Sequence, residues 1–215
     1  MITIKKFTFN PFQENTYILF DETKECVLID PGCYDRNEKT SLTNFIEENK
    51  LIPVQLLNTH CHIDHVLGNY IISNNYKLKL AANKLEIPVL KGSSQWGSQY
   101  GINGDLSPEI EIYLSEGDNI EFGNSKLEVI FVPGHSPGHI AFVNHDEKFI
   151  INGDVLFQGS FGRYDLPGGD LETLSQSIQK KLFVLPDNYK VYAGHMGETT
   201  IGEEKHTNPI LQFPL

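Results

Sequence analysis

The stretch Thr59-His60-Cys61-His62-Ile63-Asp64-His65 holds four potential metal-binding groups, His60, His62, Asp64 and His65, within six residues. It follows the short apolar run 54–57, which reads as a buried strand. Imidazole nitrogen and carboxylate oxygen suit zinc, iron or manganese better than calcium. Side chains two apart in an extended segment point the same way, so His60 and His62 can reach one ion. Asp64 and His65 stand where a helical pattern over 66–73 begins, placed to face a second ion. The same alternation turns Cys61 away from both histidines and makes it a packing residue.

Working outward, three more candidates each stand at the end of a predicted strand and beside a glycine. His135 lies in Val132-Pro133-Gly134-His135, Asp154 in Asn152-Gly153-Asp154, and His195 in Ala193-Gly194-His195. Glycine lets the backbone approach crowded metal chemistry closely. Strand ends gathered on one edge of a sandwich can assemble a site from such distant positions. His139 reads as an outer support or a packing residue, while His145 sits in a predicted turn.

The rest of the chain is a run of strands with a helix or two, then the same again. Strands are expected over 2–9, 16–20, 26–29, 54–57, 79–82, 110–114, 119–122, 126–132, 141–143, 149–151 and 190–193. Leu42, Phe45 and Ile46 at helical spacing predict an amphipathic helix over 37–49. Asp170 is a good N-cap for a helix striped by Leu171, Leu174, Ile178 and Leu182. Residues 83–105, rich in Gly and Ser and carrying the only Trp, read as an irregular loop, either pinned by that ring or closing over a site as a lid. The pattern suggests sheets sandwiched with helices in one domain spanning 1–215.

Composition narrows the partners. Lys plus Arg number 17 against 28 Asp plus Glu, a net charge of -11, and no basic run exceeds a pair. That disfavours nucleic acid and anionic membranes and leaves a small-molecule substrate. The first seven residues lack the apolar core of a secretory leader. Three cysteines, Cys26, Cys33 and Cys61, read as reduced thiols in the cytoplasm, with a Cys26–Cys33 bridge the one pairing in view.

His-x-His-x-Asp-His followed by Gly-His, Gly-Asp and Gly-His resembles the metallo-β-lactamase superfamily. Asn10-Pro11-Phe12-Gln13-Glu14-Asn15-Thr16-Tyr17 and Leu28-Ile29-Asp30-Pro31-Gly32 are similar to its early strands. The resemblance implies an α/β four-layer αββα sandwich with two divalent ions, zinc first, iron or manganese next. It implies one ion on His60, His62 and His135, the other on Asp64, His65 and His195, and Asp154 bridging them. Within the superfamily the chain resembles the glyoxalase II group. Gly162-Arg163-Tyr164-Asp165 is similar to a segment of its short bacterial members, and an Arg163–Asp165 ion pair would hold the loop after Asp154. Full-length glyoxalase II enzymes add a helical C-terminal domain, whereas residues 196–215 alone follow His195 here.

Two ions sharing a water bring its pKa towards neutrality, and the hydroxide can attack a carbonyl. A thioester needs no strong general acid, because thiolate leaves readily. Asp64 is the candidate to orient the hydroxide or take its proton, and Asp30 to fix an imidazole from behind. The resulting expectation is a thioester hydrolase acting on S-lactoylglutathione or a related acyl thiol. The alternatives are a persulfide dioxygenase with a single iron, a lactonase or β-lactamase, and a non-catalytic binder.

Overall fold

The computed structural model describes residues 1–99, 101–102, 105 and 107–213. One sheet is built, in chain order, from β1 (Thr3–Phe9), β2 (Glu14–Phe20), β3 (Glu25–Ile29), β4 (Ile52–Leu57), β5 (Leu80–Ala82) and β6 (Ile110–Tyr113). It is antiparallel from β1 to β3 and parallel from β3 to β6. A second sheet uses β7 (Asn119–Phe122), β8 (Ser125–Phe131), β9 (Ile140–Asn144) and β10 (Phe149–Gly153). After a small hairpin of β11 (Leu156–Phe157) and β12 (Ser160–Phe161), it adds β13 (Lys190–Ala193) and β14 (Thr199–Thr200). Its order is β14-β13-β10-β9-β8-β7.

Strand alternation explains the layering. Tyr17, Leu19, Val27 and Ile29 face the other sheet and meet Val129, Phe142 and Ile151 in the central core. Their neighbours Ile18, Cys26 and Leu28 point outward, under α1 (Arg36–Glu48), α2 (Ile63–Val66), α3 (Asn69–Tyr76) and α4 (Ile87–Gln99), onto Leu42, Ile46 and Ile72. The second sheet likewise sends Ala141, Val143, Ile150 and Val191 outward. They pack under α5 (Leu171–Ser177) and α6 (Ile201–Thr207), against Leu174, Ile178 and Ile201. Faces of period two covered on both sides give the expected αββα sandwich.

The sheets are also tied by polar contacts at one edge. Asn15 N–H donates to Gly194 O at 2.7 Å and Ile140 N–H to Thr59 O at 2.9 Å. The Tyr17 hydroxyl donates to Ala193 O at 2.7 Å. The C-terminal ends of β3, β4, β8, β10 and β13 therefore meet along that edge.

Three expectations need correction, while the reading of the cysteines as free thiols holds. Residues 83–105 are not an irregular loop as far as residue 99: a turn capped by Asn83 leads into α4. Glycine and serine are poor helix formers, and tertiary packing overrides that preference. Ile87, Val89 and Leu90 pack onto the outer core, and Gly97 lies on Ile63, where a Cβ would come within 3.1 Å of two side-chain carbons. The helix predicted over 66–73 is two helices, broken where Gly68 N–H donates to Pro31 O at 2.7 Å. The striped helix after Asp170 widens into a π-turn at Ile178–Leu182, keeping Leu174, Ile178 and Leu182 buried. No bridge joins Cys26 and Cys33; all three cysteines are free and buried.

Gly97→Leu should therefore overpack the α2–α4 contact and lower stability by about 1–3 kcal/mol, read as a reduced urea midpoint.

Candidate metal centre

Asp30 ends β3 in a left-handed conformation, φ 49°, which aims its carboxylate under the histidine motif. It accepts from Thr59 N–H at 2.7 Å, Thr59 Oγ1 at 2.6 Å and Asn58 Nδ2 at 3.1 Å. His65 Nδ1 lies 3.1 Å from its Oδ2 and donates to it. Thr59 Oγ1, having given its proton to Asp30, accepts from His60 Nδ1 at 3.1 Å. These bonds fix two imidazoles as Nδ1–H tautomers with the Nε2 lone pair facing inward. The positioning role expected of Asp30 is thus visible, and its spent oxygens argue against its being a ligand.

Two further rings are held in the same way. His135 Nδ1 donates to Arg163 O at 2.7 Å, and His195 Nδ1 to Phe12 O at 3.1 Å. Arg163 forks onto Asp165 at 2.8 and 2.9 Å, so the predicted ion pair is present. Gly194 is required by close approach: a Cβ there would fall on Asp154 Oδ1.

All seven predicted candidates come together. His62 Nδ1 lies 2.9 Å from His135 Nε2, which lies 3.3 Å from His60 Nε2. His195 Nε2 lies 3.1 Å from Asp64 Oδ2, and His65 Nε2 lies 3.7 Å from the same oxygen. Asp154 stands between the two triads. Its Oδ1 is 3.5 Å from His65, and its Oδ2 is 3.3 Å from His195 and 3.7 Å from His135.

The donor set fits metal ions. His65 Nε2 and Asp154 Oδ1 are buried without a hydrogen-bond partner. Buried polar atoms seldom go unpaired, and here they face each other across a gap. In the first triad, burial pushes His62 down to about 3 and lowers His60 and His135 as well, so these rings are neutral and turn nitrogens towards one another at the centre of the triad. In the second, burial disfavours charge on His195, but Asp154 and Asp64 overrule it and lift the ring to about 10. His65 is raised for the same reason. The second triad thus draws positive charge, while the first offers neutral nitrogens.

Sequence reasoning missed Glu86. Fully buried at the foot of α4, it accepts from Cys61 N–H at 2.8 Å, Ser136 Oγ at 2.5 Å and Gly138 N–H at 2.7 Å. It clamps the His60–His62 loop to the His135 loop, and nothing in its local sequence marks it. His139 is an outer support: its Nε2 accepts from Asp154 N–H at 3.1 Å, and its ring stacks on His60 at 4.6 Å. Cys61 is buried and packs with the outer core. The site opens on a cavity of about 870 Å³. Trp96 lies on its wall, 40% exposed, on a helix rather than on the expected loop.

The fold and this centre define a metallohydrolase scaffold. The sequence pattern of the metallo-β-lactamase superfamily matches residues 9–195, and the chain belongs to that superfamily. It is 36% identical over 207 residues to the hydroxyacylglutathione hydrolase GloC of Haemophilus influenzae, covering 93% of each chain. It is 33% identical to the mitochondrial persulfide dioxygenase ETHE1 of Mus musculus, over 91% of this chain and 70% of that one. The solved structure of TTHA1623 in a di-iron-bound form superposes with a TM-score of 0.86 at 36% identity, covering 95% of this chain and 98% of that one.

Removing Glu86 leaves buried donors unpaired on two loops. Glu86→Ala should lose about 3 kcal/mol or more of stability in denaturant titrations. Metal affinity should divide by triad. An ion entering the second triad displaces a proton from His195, so affinity there should rise at least about tenfold per pH unit between about pH 6 and 8. The already neutral first triad should change little. Chelator competition across that range measures both.

Proposed function

We propose that this chain is a dinuclear metal-dependent hydrolase of thioesters, S-lactoylglutathione or a related acyl thiol. The observation that carries the reading is the position of Asp154, one oxygen towards His65 and the other towards both His135 and His195. A carboxylate so placed suits a shared ligand between an ion on His60, His62 and His135 and another on Asp64, His65 and His195. Two zinc ions are the expected pair, with iron or manganese as substitutes; the di-iron form of TTHA1623 supports a two-ion centre. Bound there, divalent ions would lower the pKa of a shared water and polarise the scissile carbonyl.

The protein's own groups supply the rest. Asp64 reaches the cavity and holds the attacking water by its proton, which it can accept. His195, fixed by Phe12 O, would share the second ion with Asp64 and so keep that carboxylate in place. Thiolate leaves without a general acid, so the absence of a further acid among the described cavity residues is no obstacle. The likeness to GloC supports the thioester. The net charge of -11 supports a small molecule over nucleic acid or an anionic membrane. No helix among the described residues is long and apolar enough to cross a membrane, and three buried free cysteines suit the reducing cytoplasm.

Metal analysis of protein purified without added metal, paired with an S-lactoylglutathione assay, tests the proposal. About two ions per chain and turnover are expected, with Asp64→Ala losing about 10²–10⁴-fold in rate. A single iron with persulfide-dependent oxygen uptake would replace the hydrolase by the dioxygenase chemistry that ETHE1 is named for.

A further inference from the structure

The cavity beside the two triads carries a selectivity of its own. Apart from the candidate ligands, Arg163 is the only charged residue among the described residues that line it, and its guanidinium is forked onto Asp165. Apolar side chains dominate both flanks, with Gln13, Ser93 and Ser160 as the uncharged polar ones. Val89 and Trp96 of α4 stand on the flank of His62, where Gly97 brings the helix onto Ile63. Phe12, Phe157 and Met196 stand on the flank of His195, with the Phe157 ring 6.2 Å from the imidazole. Both sides of a carbonyl held between the triads would thus face hydrocarbon.

A glutathione thioester carries two carboxylates and an ammonium group. Buried charge of that kind calls for paired partners, which these walls do not offer. Resting on the thioesterase reading above, we infer that the site selects thioesters by an apolar chain, and that Trp96 and Val89 determine the preference. The chain can belong to the acyl or the thiol half, and substrate series separate the two.

The acyl series compares S-acetyl- with S-hexanoyl-N-acetylcysteamine, and the thiol series compares S-ethyl with S-hexyl thioacetate. Each buried methylene is worth about a three- to fourfold gain. One series should therefore rise at least about thirtyfold in kcat/KM from short to long chain and surpass S-lactoylglutathione. Trp96→Ala should cut that long-to-short ratio by about tenfold, and Val89→Thr should reduce it in the same direction. Flat kcat/KM in both series, with S-lactoylglutathione preferred, would overturn the inference and leave the thioesterase standing.

Trp96 is the only tryptophan in the chain, so its fluorescence reports binding without turnover. S-hexyl-N-acetylcysteamine, a thioether that cannot be hydrolysed, should bind and shift the emission to the blue, whereas the S-methyl analogue should not. If that shift occurs while no thioester is cleaved, the chain site stands and the proposed reaction falls. Equal weak response to both thioethers would overturn the chain site.

Discussion

A cluster of five imidazoles and two carboxylates cannot be taken out of water unless positive charge balances it, and most of this molecule is organised around that constraint. The first triad is buried deeply enough to keep its rings neutral, so it presents uncharged nitrogens. The second is dominated by Asp64 and Asp154, which raise His65 and His195 and favour their cationic forms. A divalent ion at each triad would satisfy these arrangements, taking the place of protons at the second and of water at the nitrogens of the first. Asp30, Thr59, Arg163 O and Phe12 O then have one task, to keep Nδ1 protonated and Nε2 aimed inward.

The sandwich solves a geometric difficulty that follows from this. The candidate ligands lie between residues 60 and 195, and loops alone would hold them poorly. Strands whose C-terminal ends meet at one edge bring them together on a rigid base. The polar contacts across that edge, Asn15 to Gly194 and Ile140 to Thr59, lock the register of one sheet to the other just below the site. A shift of one residue in β4 or β13 would turn His60 or His195 to the wrong face.

The site was legible in the sequence because metal ligands are chemically rare groups in an uncommon spacing. His60, His62, Asp64 and His65 announce themselves, and glycine marks the close approaches at His135, Asp154 and His195. The fold was legible wherever apolar or β-branched runs were strong, as in β2 and β3, or alternated with polar residues, as in β8. Two features were not. The helix α4 was hidden because Gly92, Ser93 and Gly97 have low helical preference, and its stability comes from Ile63 and the outer core. Glu86 was hidden because a buried carboxylate looks like any surface glutamate until its three donors are seen.

Those two hidden features are neighbours, and the adjacency bears on specificity. Glu86 fixes the first residue before α4 to the loops that carry His60, His62 and His135. The apolar wall bearing Val89 and Trp96 is therefore indexed to the first triad through a buried carboxylate, together with the packing of Gly97 on Ile63. Ligand geometry and wall position cannot vary independently in this arrangement. A relative can retain the whole donor set and still differ in substrate through the residues one turn or more along α4.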